Sequence, residues 1–300
     1  SEDDRMSKLK QFREGVFGKA DVRQYGMVFS LIAIIALFYV TTDGVVLNSA
    51  NLINVVSQYS YILILAIGMV MVIIAGHIDL SVGSLAAFIG AVAGVLVVRP
   101  LEQDGWDWLP ALPWWAGILG AIAVGALVGV WQGYWVAYVG IPAFIVTLAG
   151  MLLFRGMALM TLQNSNIGPF PDEFRAIGNG FLDKENALGT AIGLPEQYNA
   201  WALIATALGI LAIWFQAVRT RAGRIKYGQP TEPSFWFFGK NIALSTMVAY
   251  VGFQLSQANG IPYTLILLVF LIVIYTMVMN KTTLGRHIYA IGGNLHAAML

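Results

Sequence analysis

Apolar runs of bilayer length follow one another from Tyr25 to Met279, and this limits the chain to a helical, membrane-embedded fold. A helix needs about 20 mostly apolar residues to cross the hydrocarbon layer. In lipid every backbone N–H and C=O must be satisfied within the protein, which a helix does by itself. About eight runs approach that length: Tyr25–Thr41, Val55–Ala75, Ser84–Val98, Trp114–Val139, Pro142–Leu162, Trp201–Val218, Ile242–Leu255 and Ile261–Met279. The seventh is short, because Gln254, Ser256 and Gln257 follow closely. Charged residues make up only 11% of the chain against about 25% in soluble domains, too few to cover a soluble surface. The expected fold is all-α, a polytopic transmembrane helix bundle.

Several function classes drop out. A net charge of +1 provides no electrostatic case for nucleic acid. Without cysteine there is no disulfide, thiolate catalysis or Cys-ligated metal. No cleavable signal is visible: residues 1–24 form a polar, mixed-charge arm, and the first run is expected to remain as an uncleaved span. Residues 25–280 form the membrane domain. Two of its hydrophilic loops lie on one side, Arg99–Pro113 and Gln163–Asn199, the second expected to hold a small helix or two. Basic residues concentrate on the other side, in the arm, in 219–240 and in 281–300. That bias predicts a cytoplasmic N-terminus, and Trp106, Trp108, Trp114, Trp115 and Trp201 near the outer boundaries agree with it.

One interruption stands out. Gly76-His77-Ile78-Asp79-Leu80-Ser81-Val82-Gly83 breaks the apolar tract from Ile62 to Val98. Glycines allow the backbone to turn where a helix would continue, and an ionisable group beside lipid-length segments usually faces a cavity or a partner. Gly76, His77, Asp79, Ser81 and Gly83 are therefore candidates for a translocation path or gate. Asp79 has two readings, a cap or turn residue for the third span and a member of the path. His77 reads as an interfacial polar residue, with no second ligand at metal spacing. Arg155 lies inside the fifth span with nothing there to neutralise it. It either snorkels outward, binds polar groups or pairs with an acid. Gln58 and Tyr59, near the outer end of the second span, are further candidates for the path, where boundary residues of this type are also common. Gly125, Gly129 and Gly133, and likewise Ala86, Gly90 and Gly94, suit close helix packing.

A second motif follows the last span: Gly285, Arg286, Tyr289, Gly292, Gly293 and Asn294. Thr282, Gly285, Arg286 and Tyr289 repeat the order and spacing of Thr220, Gly223, Arg224 and Tyr227. This is either a repeated span-plus-loop unit or chance. The glycines suit tight turns, Arg286 offers a forked donor, and Asn294 suits the start of a short helix.

The stretches Ile78–Ser84, Phe144–Met151 and Gly285-Arg286 through Ala290–Asn294 resemble the permease subunits of bacterial sugar-uptake ABC transporters. The similarity runs from about Tyr25 to Leu300 and keeps the order of the three motifs. Gly76–Asp79, Asn166–Pro171 and the basic segment near Arg219 look most like the multiple-monosaccharide branch, with the xylose permease close behind. The resemblance implies a type II importer permease in the bacterial inner membrane, functioning as a homodimer. It implies an ATP-binding partner subunit, a periplasmic sugar-binding protein and a monosaccharide substrate. It also implies that Gly285–Leu300 is a cytoplasmic coupling loop. Family members continue into further spans, so missing C-terminal spans are expected beyond Leu300.

Three readings compete. A permease subunit needs no cofactor and no chemistry of its own, and the chain has no Gly-x-x-x-x-Gly-Lys-Ser/Thr phosphate loop, so ATP belongs to the partner. A proton- or sodium-coupled secondary transporter would use His77, Asp79 and Arg155. A membrane enzyme would need a nucleophile with a base, or a metal motif, and neither is found.

Overall fold

A computed structural model describes residues 22–98, 112–163 and 165–294. The sequence-based assignments to the arm, to 99–111 and to 295–300 lie outside these residues. Two compact units are separated, Ser1–Leu52 and Ile53–Leu300. In the first, helix α1 (Val22–Thr41) ends at a turn through Asp43 and Gly44, followed by a short 3-10 turn, Val45–Leu47. The Asn51 amide donates to the Val46 carbonyl at 3.0 Å and fixes that turn to the start of α2 (Ser49–Ile74).

The second unit contains the rest of α2, then α3 (Val82–Val97), α4 (Trp114–Ala137), α5 (Ala143–Leu162), α6 (Asp172–Asn179), β1 (Phe181–Leu182) and α7 (Ala187–Ala191). After these come α8 (Ala200–Lys226), α9 (Ser234–Ser256), β2 (Ile261–Pro262), α10 (Tyr263–Lys281) and α11 (Thr283–Gly293). Proline punctuates the order. Pro113, Pro142, Pro171, Pro233 and Pro262 each stand immediately before a helix. A proline fixes its own φ and disfavours helical geometry in the residue before it, so it sets where a helix begins.

All eight apolar runs fall on helices. Among the described residues, five helices are long and apolar enough to cross a membrane: α2, α4, α5, α8 and α10. The apolar parts of α1 and α3 are shorter. The seventh run is not short as a helix, because α9 begins eight residues before Ile242 and covers 23 residues. Likewise α8 continues beyond Val218 to Lys226, since Arg, Ala and Lys are good helix formers.

Helices α3, α4 and α5 pack together around Phe88, Phe154 and Ala158, with Leu85, Val92, Val124 and Val128 against them. The Phe88 and Phe154 rings stack at 6.0 Å and Trp131 meets Phe154 edge-on. The glycine pattern is only partly used. A Cβ on Gly125 would press on Ile89 and one on Gly94 on Ile167, whereas Gly90, Gly129 and Gly133 have no neighbour within 4 Å among the described residues. Within α3, α4 and α5 the closest approaches are at Gly117, against Val97, and at Gly150, against Gln132. A second core joins Ile53, Ala202, Leu255 and Ile261 from α2, α8, α9 and β2.

The loop 163–199 is ordered by its own polar side chains. The Asp183 carboxylate accepts from the Ala187 and Leu188 amides. Asn186 donates to the Tyr198 carbonyl and accepts from the Ala200 N–H, while Asn199 donates to the Asp183 carbonyl. Leu182 pairs with Ile261 and Phe181 with Pro262, antiparallel. Buried asparagines satisfied on both faces are what let this irregular segment pack against the bundle.

Candidate functional site

The break between α2 and α3 is a defined elbow. Gly76 N–H donates to the Ile73 carbonyl at 2.9 Å and His77 N–H to the Val72 carbonyl at 3.1 Å. This pair of bonds is a Schellman cap with Gly76 in the left-handed region, φ 83°. A Cβ on Gly76 would meet nothing within 4 Å, so backbone conformation and not space demands glycine there. Gly83 differs from expectation: it lies in the first turn of α3, with ordinary helical φ and open space around it, and turns nothing.

Across the elbow, Asp79 Oδ1 accepts from both the Ser81 N–H and the Ser81 hydroxyl, each at 2.7 Å. The carboxylate thus closes a local turn ahead of α3. Ser81, the residue before the helix, is fully buried and makes no side-chain cap bond of its own. Its hydroxyl donates to Asp79 and accepts from the Gln132 amide of α4 at 3.0 Å. Thr147 of α5 donates to the Ala143 carbonyl at 2.9 Å and reaches the Ile78 carbonyl at 3.3 Å. Gln132 and Thr147 are 7% and 5% exposed. Each of these bonds contributes about 0.5–1.5 kcal/mol net, but stranding a buried partner costs about 1–3 kcal/mol. The asymmetry holds Gln132 to Ser81. Gly150 permits it, because any side chain there would strike the Gln132 amide nitrogen.

Asp79 and Ser81 are therefore brought together with Gln132 and Thr147. The other path candidates are not. His77 lends its N–H to the cap and is otherwise exposed. Gln58 and Tyr59 are exposed on α2, more than four helical turns from Gly76 and so roughly 26 Å away at 1.5 Å per residue. Arg155 is exposed on α5, roughly 12 Å along the helix from Thr147, and no ion pair involves it among the described residues. Gln132 was legible as the lone amide in the run Trp114–Val139, a polar group that such a run must satisfy.

The segment after the last span is a helix and not a loop. Thr282 is the extended residue that ends α10 and starts α11: its hydroxyl donates to the Val278 carbonyl at 2.6 Å and accepts from the Gly285 N–H at 3.3 Å. Gly285, Gly292 and Gly293 make no tight turns, for all three lie in α11. Two of them serve close approach instead. A Cβ on Gly285 would strike the Met279 carbonyl, and one on Gly292 the Ile74 carbonyl, whereas Gly293 has open space. Asn294 follows the helix as its C-cap, and the short helix expected after it lies outside the described residues. Arg286 and Tyr289 are exposed. The two copies of the Thr-Gly-Arg-Tyr pattern adopt different structures, since Thr220–Lys226 continues α8 without a break while Thr282 interrupts the chain. The pattern does not mark a repeated structural unit.

The contact of Gly292 with Ile74 sits at the last residue of α2, two positions before Gly76. Elbow and terminal helix thus share one backbone contact, a geometry suited to passing movement from a surface helix into the bundle. Residues 51–227 match the family model for the permease component of the branched-chain amino acid transport system. This chain belongs to that permease family. It is 35% identical to the xylose transport system permease protein XylH of Haemophilus influenzae over 93% of this chain and 68% of that protein. Similarity extends to the Escherichia coli K12 ribose import permease RbsC (31% identical, 70% of this chain, 59% of that one) and D-allose permease AlsC (26%, 76% and 63%). The permease chain thus spans about two thirds of the length of the curated xylose permeases it matches, 68% and 65%. No solved structure matches it. Family membership and five spanning-length helices make it a multi-pass membrane protein.

Proposed function

We propose that the chain is the membrane-spanning subunit of an ATP-driven ABC importer that carries a monosaccharide, xylose or a related pentose or hexose, into a bacterial cytoplasm. The observation that carries this reading is the 35% identity to xylose permeases along 93% of the chain. In this reading the type II fold has eight spans in this chain, the N-terminus is cytoplasmic, and two copies form the path in the inner membrane. A periplasmic sugar-binding protein docks on the outer loops, chiefly Arg99–Pro113 and Gln163–Asn199. The ATP-binding subunit engages α11, whose exposed Arg286 and Tyr289 suit a protein contact. ATP-driven movement of α11 bears on the end of α2 through Gly292 and Ile74 and so on the Gly76–Gly83 elbow. The elbow then rearranges relative to α4 and α5, which hold it through Gln132 and Thr147. Selection falls mainly to the soluble binding protein, and the path binds sugar weakly.

The test is uptake of labelled pentoses and hexoses by vesicles carrying the full-length complex, with and without ATP, binding protein and a protonophore. ATP-dependent, protonophore-resistant uptake is expected. Uptake that ignores ATP and collapses with the proton gradient would instead make His77, Asp79 and Arg155 the coupling set of a secondary transporter.

A further inference from the structure

Between α8 and α9 lies a cleft of about 310 Å³, at the end where the apolar run of α8 gives way to basic residues. Arg221, Arg224 and Lys240 line it together with Glu232. Lys240 is taken by Glu232, Nζ to Oε2 2.9 Å. Neither arginine has a carboxylate partner among the described residues. Arg221 is held in place: Nη2 donates to Ser234 Oγ at 3.0 Å and the guanidinium lies 4.5 Å from the centre of the Phe237 ring. Its Nη1 is shielded from solvent and has no hydrogen-bond partner among the described residues. Arg221 and Arg224 thus bring charge to the cleft without a carboxylate to balance it, which favours an anion there.

Depth and surroundings identify the anion. Arg221 and Arg224 follow Val218, the last residue of the apolar run, by one and two helical turns, roughly 4 to 9 Å at 1.5 Å per residue. The polar layer on each side of a bilayer is roughly 5–8 Å deep, so both guanidinium groups belong at headgroup level. Away from the arginines, further into the apolar run of α8, the cleft is lined by Ile213 and Ala217 on α8 and by Leu244 on α9. A soluble phosphate ester would match the cations and leave this apolar surface unmatched. A molecule with a phosphate at one end and hydrocarbon at the other matches both. Arginine forks are also well shaped for two-point contact with phosphate oxygens.

We propose that this cleft is a site for the headgroup phosphate of an anionic phospholipid, with Arg221 and Arg224 as its ligands and the start of an acyl chain along Ile213, Ala217 and Leu244. The site depends on membrane insertion and not on which solute is carried.

Native mass spectrometry of the delipidated full chain tests it, using phosphatidylglycerol, phosphatidylcholine with the same acyl chains, glycerol phosphate and inorganic phosphate. Phosphatidylglycerol should be retained about tenfold more tightly than phosphatidylcholine. The pair Arg221→Gln/Arg224→Gln should erase that preference. Arg224→Gln alone, at an exposed position that does not threaten folding, should weaken phosphatidylglycerol binding by about threefold or more. Equal binding of the two lipids, or an unchanged affinity in the Arg224 variant, overturns the proposal. So does full competition by glycerol phosphate or inorganic phosphate, which would assign the cleft to a soluble anion.

Discussion

At the residue scale, Asp79 acts in the structure through one oxygen. Its Oδ1 accepts two bonds from Ser81, and an asparagine carbonyl accepts the same two. Asp79→Asn should therefore keep near-normal transport in the full-length complex, while Asp79→Ala should lower stability by about 1 kcal/mol, read as a shift in thermal unfolding in detergent. A dead but fully assembled Asn variant would show that the charge itself matters to the path or gate. Gly150 offers a sharper test of the elbow's support. Its substitution by alanine drives a Cβ into the Gln132 amide, costing about 1–3 kcal/mol, and the loss should be much smaller when Gln132 is also replaced by alanine. Additive losses would mean that the two residues do not interact.

At the element scale, α11 presents two adjacent glycines with opposite surroundings. Gly292 rests on the Ile74 carbonyl and Gly293 on nothing within 4 Å. Gly293→Ala should be harmless or stabilise the helix by about 0.5–1 kcal/mol. Gly292→Ala should separate α11 from the end of α2 and uncouple ATP hydrolysis from uptake, with insertion intact. Parallel ATPase and uptake assays on the two variants decide it, and indistinguishable behaviour would remove the contact from the transmission route. Arg286→Glu, on the exposed face of the same helix, should weaken ATPase-subunit binding without touching the Ile74 contact. Co-purification of that subunit at wild-type level would exclude α11 as its docking element.

At the scale of the whole molecule, the basic-residue bias assigns opposite sides to 163–199 and 219–240. The structure identifies positions that report this without disturbing the fold. Asp183 carries the turn into α7 through its carboxylate, whereas Lys184 and Lys226 are exposed. Cysteines at Lys184 and Lys226 should label from the periplasm and the cytoplasm respectively. Labelling of both from one side would break the eight-span arrangement between them.

The helices themselves were legible from the sequence, because an apolar run in lipid has few alternatives to a helix and prolines mark where five of the described ones begin. The break at Gly76 was legible for the same reason, as glycine and a polar cluster inside a span-length tract. What Asp79, Gly285 and Gly292 touch was not. Periodicity places a residue on its own helix but says nothing of which backbone lies opposite, so three glycines in one motif looked alike until Met279 and Ile74 were found beside two of them. Gln132 could be suspected from its apolar surroundings, yet its partner, Ser81, lies 51 residues away in the chain. The run Ile242–Leu255 belongs to a longer helix for a related reason: α9 starts in Ser234–Lys240, where polar and aromatic residues join the helix by packing on α8 through Trp214, Arg221 and Phe237, although α9 is not among the helices apolar enough to cross a membrane. Hydropathy along the chain determines which segments enter the membrane; only the packing of one helix against another decides which of their polar groups meet.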